Sequence, residues 1–255
     1  MKNVSILVTN DDGIYAPGIG QLKKDLDEIG DVTVVAPISE KSAVGHAITL
    51  SDPLRVVEVE REGAFFGYGV NGTPADCVKL GIRCLMKRPP DIVVSGINQG
   101  SNTAINIIYS GTVSAAAESI IMDVPAIAVS LTSYTSKDFS YAGKVARHIA
   151  LQVLKNGLPE GVLLNVNVPP GAEDEIEGAV ATRQGKGKYD EAFDKRVDPN
   201  NRTYYWLTGK RKILDFDDDI DDVVTMNNKV SVTPIHYDLT HYEFLKELSK
   251  WQLKP

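Results

Sequence analysis

The chain has 255 residues, of which 43% are hydrophobic and 24% are charged, values that are ordinary for a globular protein and do not indicate disorder. The formal net charge of -7 argues against a protein that wraps nucleic acid, because such proteins need a basic surface. We find no long apolar stretch and no signal-peptide pattern, so we expect a cytoplasmic protein without membrane contact.

The first apolar segment, residues 4–8, is followed by two adjacent carboxylates, Asp11 and Asp12. This segment is predicted to be a buried strand of a parallel sheet. Ligands of open α/β sheets bind outside the carboxyl ends of the strands. Neighbouring carboxylates repel one another unless a proton or a cation lies between them, so the pair suggests a divalent metal site. The alternative is an ordinary turn or helix cap, since Asn, Asp and Gly are common in both.

Strand and helix patterns alternate along the following 160 or so residues. Periodicity, capping residues and breakers predict the following elements: helices over residues 19–29, from 73, from 110 and over 140–155, and strands or extended segments over residues 31–36, 47–59, 64–70, 91–95, 125–130 and 163–168. This alternation predicts an α/β fold with a Rossmann-like, doubly wound, mostly parallel sheet.

The pattern changes from residue 178 onward. Residues 182–207 are rich in turn formers, basic residues and aromatics, which predicts a protruding C-terminal hairpin region. We expect a strand over residues 230–233 and a short helix over residues 242–248. We therefore divide the chain into a Rossmann-like core at residues 1–180 and a hairpin and oligomerisation region at residues 181–255 that returns to the core.

Two other features have simple interpretations. Cys77 and Cys84 lie in a predicted helix, about 10 Å apart along its axis, which is too far for a disulfide. We expect both to be buried, reduced thiols. Residues 215–222 contain six acids in eight residues. A calcium loop needs glycine at its sixth place, where Ile220 stands, so we expect a solvated loop.

Three polar loops follow predicted strands and contribute Asp11 and Asp12, Ser42, and Asn98. Their oxygen ligands suit magnesium, manganese or calcium better than zinc. Such an ion can activate a water molecule as a nucleophile while it neutralises a phosphoryl oxygen. The helix that starts near Ser110 offers free backbone N–H groups to an anion, although Ser110 or Thr112 acting only as a cap explains the segment equally well.

Other hydrolase schemes fit poorly. A phosphatase that forms an aspartyl-phosphate needs a nucleophilic aspartate where this chain has Asn10. The sequence has no G-x-S-x-G elbow, and neither a P-loop nor a G-x-G-x-x-G motif follows a strand.

Eight segments in fixed order carry a more specific signal: ILVTNDDGIYAPGI, VVAPISEKSAVGH, GTPADCVKLG, DIVVSGINQGSN, YSGTVSAAAE, LLNVNVP, TRQGK and VSVTPIHYDLT. Together they closely resemble the SurE family of metal-dependent nucleotidases, from residue 6 to about residue 240. The resemblance implies a Rossmann-like core and a C-terminal region that is exchanged or interlocked in a homodimer, which could pair into a tetramer. It also implies hydrolysis of nucleoside 5'- and 3'-monophosphates by metal-activated water.

The resemblance assigns roles to individual residues. Asp11, Asp12, Ser42 and Asn98 are expected to ligate one divalent ion per subunit, Mg²⁺ or Mn²⁺, with Ca²⁺ as a third candidate. Asn102 and the turn Ser110, Gly111, Thr112 are expected to surround the substrate phosphate. Asp11 or Asp12 would orient or deprotonate the attacking water, and we favour Asp11. Two alternatives are a phosphatase mainly for other phosphates, such as short polyphosphate, and a non-catalytic nucleotide-sensing module.

Some positions depart from the family pattern or have an open role. Ser101 replaces a usual proline, and residues 103–106 replace a stretch that commonly contains glycine and an acid. We expect His46 to pack or hydrogen-bond beside the Ser42 loop. Basic residues near the start of the hairpin could attract phosphates or form a solvated surface: Arg183, Lys186 and Lys188.

Overall fold

The computed structural model describes residues 4–254 and is built around a nine-stranded sheet. The strands are β1 Val4–Thr9, β2 Gly30–Pro37, β3 Val56–Arg61, β4 Ala64–Val70, β5 Ile92–Gln99, β6 Ala126–Leu131, β7 Val162–Val168, β8 Ala179–Ala181, β9 Lys188–Val197, β10 Thr203–Lys212 and β11 Val230–His236. The helices are α1 Pro17–Leu26, α2 Pro74–Leu80, α3 Gly111–Ile121, α4 Ser140–Asn156, α5 Asp221–Met226 and α6 Tyr242–Leu248, with 3₁₀ turns at Ala104–Tyr109 and Glu173–Glu175.

The large sheet has the order β3-β4-β2-β1-β5-β6-β7-β11-β8. The five neighbouring pairs from β4 to β7 in this order are parallel, and so is the pair β11–β8. The pairs β3–β4 and β7–β11 are antiparallel. The predicted doubly wound, mostly parallel sheet is therefore confirmed. Among the described residues, no helix combines the length and apolar character that crossing a bilayer requires.

Apolar side chains of the central strands pack on both faces of the sheet. Ile6 and Val8 of β1 join a core with α1 and α4, whereas Leu7 joins a second core with α2 and α3. All three side chains are fully buried. This explains why β1 is a continuous apolar run, since a strand covered by helices on both faces has no solvent side.

The parallel register brings the carboxyl ends of the central strands to one edge. Thr9, the last residue of β1, is paired with Ser95 of β5, and Val8 is paired with Val34 of β2. The segments that follow β1, β2 and β5 therefore leave the sheet side by side. They are the loops in which the sequence predicted metal ligands.

Most predicted elements are present, with shifted ends. The helices predicted at residues 140–155 and 242–248 are α4 and α6. The extended segment predicted over residues 47–59 is a strand only from Val56 onward. Thr73 caps α2 with a capping box completed by Asp76, as its sequence indicates.

The expectation that both cysteines are buried was wrong for one of them. Both thiols are free, but Cys77 is buried and Cys84 is exposed. Helix α2 ends at Leu80 and continues as a π-helical turn over Gly81–Leu85. The wider turn breaks the 3.6-residue periodicity on which the prediction relied, and it rotates Cys84 to the surface.

The predicted hairpin is formed by β9 and β10, which pair antiparallel as a separate two-stranded sheet. After the hairpin, β11 returns to the large sheet between β7 and β8. The division of the chain at residue 180 stays a prediction.

Candidate active site

A cleft of about 1010 Å³ opens at the carboxyl edge of the central strands. Three of the predicted ligands, Asp11, Ser42 and Asn98, line it, together with Asn102 and Ser110. Residues of the hairpin and aromatic residues of nearby segments also line it: Tyr109, Tyr134, Lys188, Tyr189, Asp190, Glu191, Leu207, Thr208 and Gly209.

The loop after β1 is shaped by Asn10 and Gly13. The Asn10 amide donates to Gly13 O at 3.0 Å and accepts from Gly13 N at 3.2 Å. Gly13 has φ +97°, which glycine adopts without strain. Asn10 therefore closes the turn that presents the two aspartates, and its side chain is committed to that structural role.

Asp11 and Asp12 are each held by a different neighbouring loop. The Thr112 hydroxyl donates to Asp11 Oδ1, and Lys41 N donates to the Asp11 carbonyl at 2.7 Å. Gln99 N donates to Asp12 Oδ2 at 3.1 Å. Hydrogen bonds thus join the Asp11–Asp12 pair to the Ser42 loop, to the end of β5 and to α3.

Burial raises the pKa of both carboxylates, and the charge of Asp11 also acts on Asp12. Asp11 is 4% exposed, and its burial raises its pKa despite the hydrogen bond from Thr112. Burial raises the pKa of Asp12 to about 7, with a further contribution from the charge of Asp11 and a smaller one from Glu40. A cation between the two carboxylates would remove this repulsion.

Ser42 and Asn98 contribute neutral oxygen atoms to the same edge. The Asn98 amide nitrogen donates to Gly100 O at 2.7 Å, which leaves its Oδ1 as the acceptor or ligand atom. The Ser42 hydroxyl donates to Glu40 Oε1 at 2.6 Å and keeps its lone pairs. Two carboxylates, a hydroxyl and an amide oxygen form a donor set that fits a hard divalent cation such as Mg²⁺ or Mn²⁺.

The residues expected around the phosphate have well-defined neighbours. Ser110 caps α3 by accepting from Val113 N at 3.1 Å. A Cβ on Gly111 would lie 2.7 Å from the Asp11 Cβ, so only glycine allows this close approach of α3 to Asp11. Thr112 is fully buried and points its hydroxyl at Asp11, which makes it an orienting group for that carboxylate.

Asn102 is fixed by an amide network that the sequence did not reveal. Its backbone N–H donates to Asn167 Oδ1 at 2.9 Å, and its side-chain amide donates to Ser130 Oγ at 2.9 Å. Its carbonyl accepts from the amides of Asn165 and Asn167. The only signal for this network was the alternation of asparagines in a strand otherwise made of apolar residues.

The expectation of a solvated loop at residues 215–222 was also wrong in part. Arg183 forms ion pairs with three of its aspartates, at 2.9 Å, 2.6 Å and 3.0 Å: Asp215, Asp217 and Asp219. The last two acids, Asp221 and Asp222, are buried and belong to the N-terminal turn of α5. The acidic run therefore neutralises Arg183 and supports the protein interior, and Arg183 is not free to attract phosphate.

Three further charged or titratable residues lie near the cleft or its loops: His46, Lys188 and Glu40. His46 Nε2 lies 2.9 Å from Glu118 Oε2, beside the Ser42 loop as expected. Lys188 lines the cleft at the start of β9. Glu40, beside the carboxylate pair, was not identified from the sequence because a lone glutamate in a polar loop carries no distinctive pattern.

Comparison with known proteins gives consistent matches along the chain. The family described as "Survival protein SurE" matches residues 6–191. The chain is 53% identical over 248 residues to 5'-nucleotidase SurE of Syntrophobacter fumaroxidans, covering 97% of this chain and 99% of that relative. It is 49% identical over 255 residues to 5'-nucleotidase SurE of Christiangramia forsetii, covering 99% of this chain and 98% of that relative.

A solved structure is similar in fold as well as in sequence. The crystal structure of the SurE protein from Aquifex aeolicus superimposes with a TM-score of 0.85 at 41% identity. The match covers 96% of this chain and 98% of that chain. The hairpin and the strand that returns to the sheet therefore lie within the matched region.

Proposed function

This chain belongs to the SurE family, and on that premise we propose that it is a metal-dependent nucleotidase. It hydrolyses nucleoside 5'- and 3'-monophosphates to nucleoside and phosphate. The observation that carries the proposal is the cleft in which Asp11, Ser42 and Asn98 meet the amino terminus of α3. An anion at this helix terminus and a cation at the carboxylates would lie side by side.

The proposed ligands of the divalent ion are Asp11, Asp12, Ser42 and Asn98, and we propose one ion per subunit. Mg²⁺ and Mn²⁺ are the first candidates and Ca²⁺ the third, because all are hard cations that prefer oxygen. When bound, the ion neutralises charge on the phosphoryl oxygens and activates water for attack. The raised pKa of both aspartates supports this assignment, because a cation beside the pair would offset the cost of burying two adjacent negative charges.

The protein groups position the ester and take up the proton. Asn102, Ser110, Gly111 and Thr112 are proposed to surround the phosphate. Thr112 occupies Oδ1 of Asp11, so Oδ2 is the atom that accepts the proton of the attacking water. The new P–O bond forms as the bond to the nucleoside oxygen breaks, and that oxygen takes a proton from solvent as it leaves. No phosphoenzyme forms, because Asn10 stands at the nucleophile position of aspartyl-phosphate enzymes.

We also propose a cytoplasmic homodimer built through the hairpin, which could pair into a tetramer. The support is the composition of β9 and β10, whose large side chains are widely exposed, with Phe193 at 68% and Trp206 at 59%. The cytoplasmic location remains a prediction from the sequence.

The function is tested by phosphate release from a panel of nucleoside 5'- and 3'-monophosphates and short polyphosphate, each with Mg²⁺, Mn²⁺, Ca²⁺ or EDTA. We expect release from the monophosphates with a divalent ion and none with EDTA. Faster release from polyphosphate would favour the alternative phosphatase. Tight nucleotide binding without any release would favour the sensing module.

Asp12→Asn tests the site itself. It should abolish most hydrolysis without loss of the fold, whereas the exposed Asp52→Asn should behave as wild type. Retained activity of Asp12→Asn at saturating metal would reject the proposed ligand set.

A further inference from the structure

Arg211, on the second strand of the hairpin, reaches a loop of the core that lines the cleft. Its Nη1 donates to Ser101 Oγ at 3.1 Å, and its Nη2 donates to Thr103 Oγ1. These two residues flank Asn102, which is proposed to bind the substrate phosphate. We call residues 101–106 the substrate-side loop, since four of its residues line the cleft. A residue of a separate sheet thus holds this loop on both sides of Asn102.

The same guanidinium neutralises a buried carboxylate. Arg211 Nη2 also donates to Asp222 Oδ1. The Asp222 side chain is 2% exposed and the Arg211 side chain is 31% exposed. A carboxylate removed from water needs a paired charge. The planar fork of arginine reaches Ser101 from one nitrogen and Thr103 and Asp222 from the other, whereas a lysine would have to reach all three from a single nitrogen atom.

Ala104, the next residue of the substrate-side loop, has an unusual backbone conformation. Its φ of +51° lies in the left-handed region, which residues with a Cβ seldom adopt. Its N–H donates to Asp221 Oδ2 at 2.9 Å, and its carbonyl accepts from Gln184 Nε2 at 2.8 Å. Asp221 also accepts from Gly185 N at 2.9 Å. Contacts from the C-terminal region therefore keep the loop in a conformation that it would not favour alone.

We infer that Arg211 is a positioning residue for substrate binding. It fixes the substrate-side loop in the conformation that presents Asn102 to the phosphate, and Asp221 and Asp222 secure the base of this arrangement. The inference rests on the proposed nucleotidase function. It assigns a role to Ser101 and Thr103, two of the residues at which the chain departs from the usual family pattern.

The metal side of the site has different supports. Asp11 is held by Thr112 and Asp12 by Gln99 N, and neither contact involves the hairpin. A change at Arg211 should therefore weaken substrate binding and leave metal binding intact. This separation distinguishes a positioning role from a general loss of structure.

The test measures KM, kcat and the Mn²⁺ concentration for half-maximal activity in Arg211→Lys and in the double variant Arg211→Met with Asp222→Asn. The double variant removes both charges, so no unpaired carboxylate is left in the interior. We expect KM for a nucleoside monophosphate to rise about tenfold in the double variant, as for the loss of a charge-assisted hydrogen bond, and less in Arg211→Lys. The Mn²⁺ requirement should change by less than about twofold.

Arg202→Met is the matched control, because Arg202 forms its ion pair within the hairpin turn, with Asp198 at 2.9 Å. It should leave KM unchanged. A double variant with the KM of wild type would overturn the inference, since Arg211 would then only compensate the charge of Asp222. Parallel rises in KM and in the Mn²⁺ requirement would also overturn it. Absence of nucleotide hydrolysis by the wild type would instead reject the proposed function.

Discussion

Asp11 and Asp12 are adjacent in sequence, yet the protein holds them with partners from different elements. Thr112 of α3 fixes Asp11 and the end of β5 fixes Asp12, so neither carboxylate can turn away from the other without losing a hydrogen bond. Burial raises the pKa of both groups, that of Asp12 to about 7. Protons should therefore compete with a metal ion for this carboxylate pair.

This competition predicts that stabilisation by Mn²⁺ grows with pH. A carboxylate whose pKa is raised from 3.8 to about 7 on folding contributes stability below pH 3.8 that is lost as the pH rises through 7. Mn²⁺ binds the ionised form and restores stability where it was lost. We expect the increase in Tm caused by Mn²⁺ to be larger at pH 8 than at pH 6, measured by thermal unfolding. Asp12→Asn should remove this difference, and an equal Mn²⁺ effect at both pH values would contradict the prediction.

Gly111 is the residue that lets α3 approach Asp11. In Gly111→Ala the new Cβ would lie 2.7 Å from the Asp11 Cβ and 2.9 Å from its Oδ2, so the carboxylate must shift. A displacement near 1 Å at a reacting group can cost on the order of 100-fold in rate. We expect a loss of kcat of that order, measured by phosphate release.

The matched control is Gly20→Ala in α1. The three atoms nearest to its Cβ would all belong to the flexible Arg61 side chain, the first of them at 3.1 Å. Alanine in place of a helical glycine also favours the helix, by about 0.5–1 kcal/mol. The control should therefore keep wild-type activity, and an equal loss of kcat in both variants would contradict a specific role for Gly111.

At the scale of elements, the loop that carries Ser42 is held at three points rather than by regular secondary structure. Lys41 N donates to Asp11 O at 2.7 Å and Gly45 N donates to Tyr109 O at 3.1 Å. The third point is Glu118 of α3, which binds His46 at 2.9 Å and Lys79 at 2.5 Å. Glu118 thereby connects this loop to α2 and α3.

Glu118→Gln should loosen the Ser42 loop and weaken metal binding. Burial raises the pKa of Glu118, but the hydrogen bonds and charges of His46 and Lys79 lower it more, so it lies below the usual 4.5. Its stabilisation is present above pH 4.5 and is lost as the pH falls through the lowered pKa. We expect a Tm loss equivalent to about 1–3 kcal/mol at pH 7 that shrinks below pH 4.5, and a higher Mn²⁺ requirement.

The control for this variant is Glu28→Gln. Glu28 pairs with Arg147 at the surface and its side chain is 61% exposed, so its removal should cost about 0–1 kcal/mol. Neither its Mn²⁺ requirement nor its pH dependence should change. A Glu118→Gln variant with the Mn²⁺ requirement of wild type would show that the Ser42 loop does not depend on this contact.

The elements that sequence predicted well are those governed by local periodicity. Buried strands such as β1 and β5, and the amphipathic helix α4, follow from apolar spacing alone. Cys84 was misplaced because a π-helical turn carries no local signal. Asp221 and Asp222 were misplaced because their partners, at Ala104, Gly185 and Arg211, lie far away in the sequence.

The candidate site shows the same limit. Asp11, Asp12, Ser42 and Asn98 could be proposed as ligands because their polar loops follow strands whose carboxyl ends meet at one edge. The hydrogen bonds that hold Asn102 were not predicted, because they depend on the pairing of β6 with β7 and on the side chains of Asn165 and Asn167. Tertiary hydrogen bonds of this kind are decided by the assembled sheet rather than by any short segment.

At the scale of the whole molecule, the hairpin is the part whose apolar side chains a single chain leaves exposed. Among residues 4–254, β9 and β10 form a sheet of two strands, and an isolated two-stranded hairpin is marginally stable in water. Phe193 and Leu207 are directly paired across the strands and are 68% and 60% exposed. Exposed apolar side chains in such number are typical of a surface that another protein covers. A second copy of the chain is the partner that the proposed homodimer supplies.

Replacing both residues by serine, Phe193→Ser with Leu207→Ser, should therefore weaken the dimer. Their exposure in one chain means that the loss falls on the interface, whereas residues of the core sheet keep their packing. We expect sedimentation velocity to show monomer at micromolar concentrations where wild type is dimeric. The matched control is Phe65→Ser, which removes a 53% exposed aromatic from β4, a strand of the large sheet that does not pair with the hairpin. If the hairpin variant and the control sediment alike as dimers, the hairpin is not the interface and its apolar side chains need another partner.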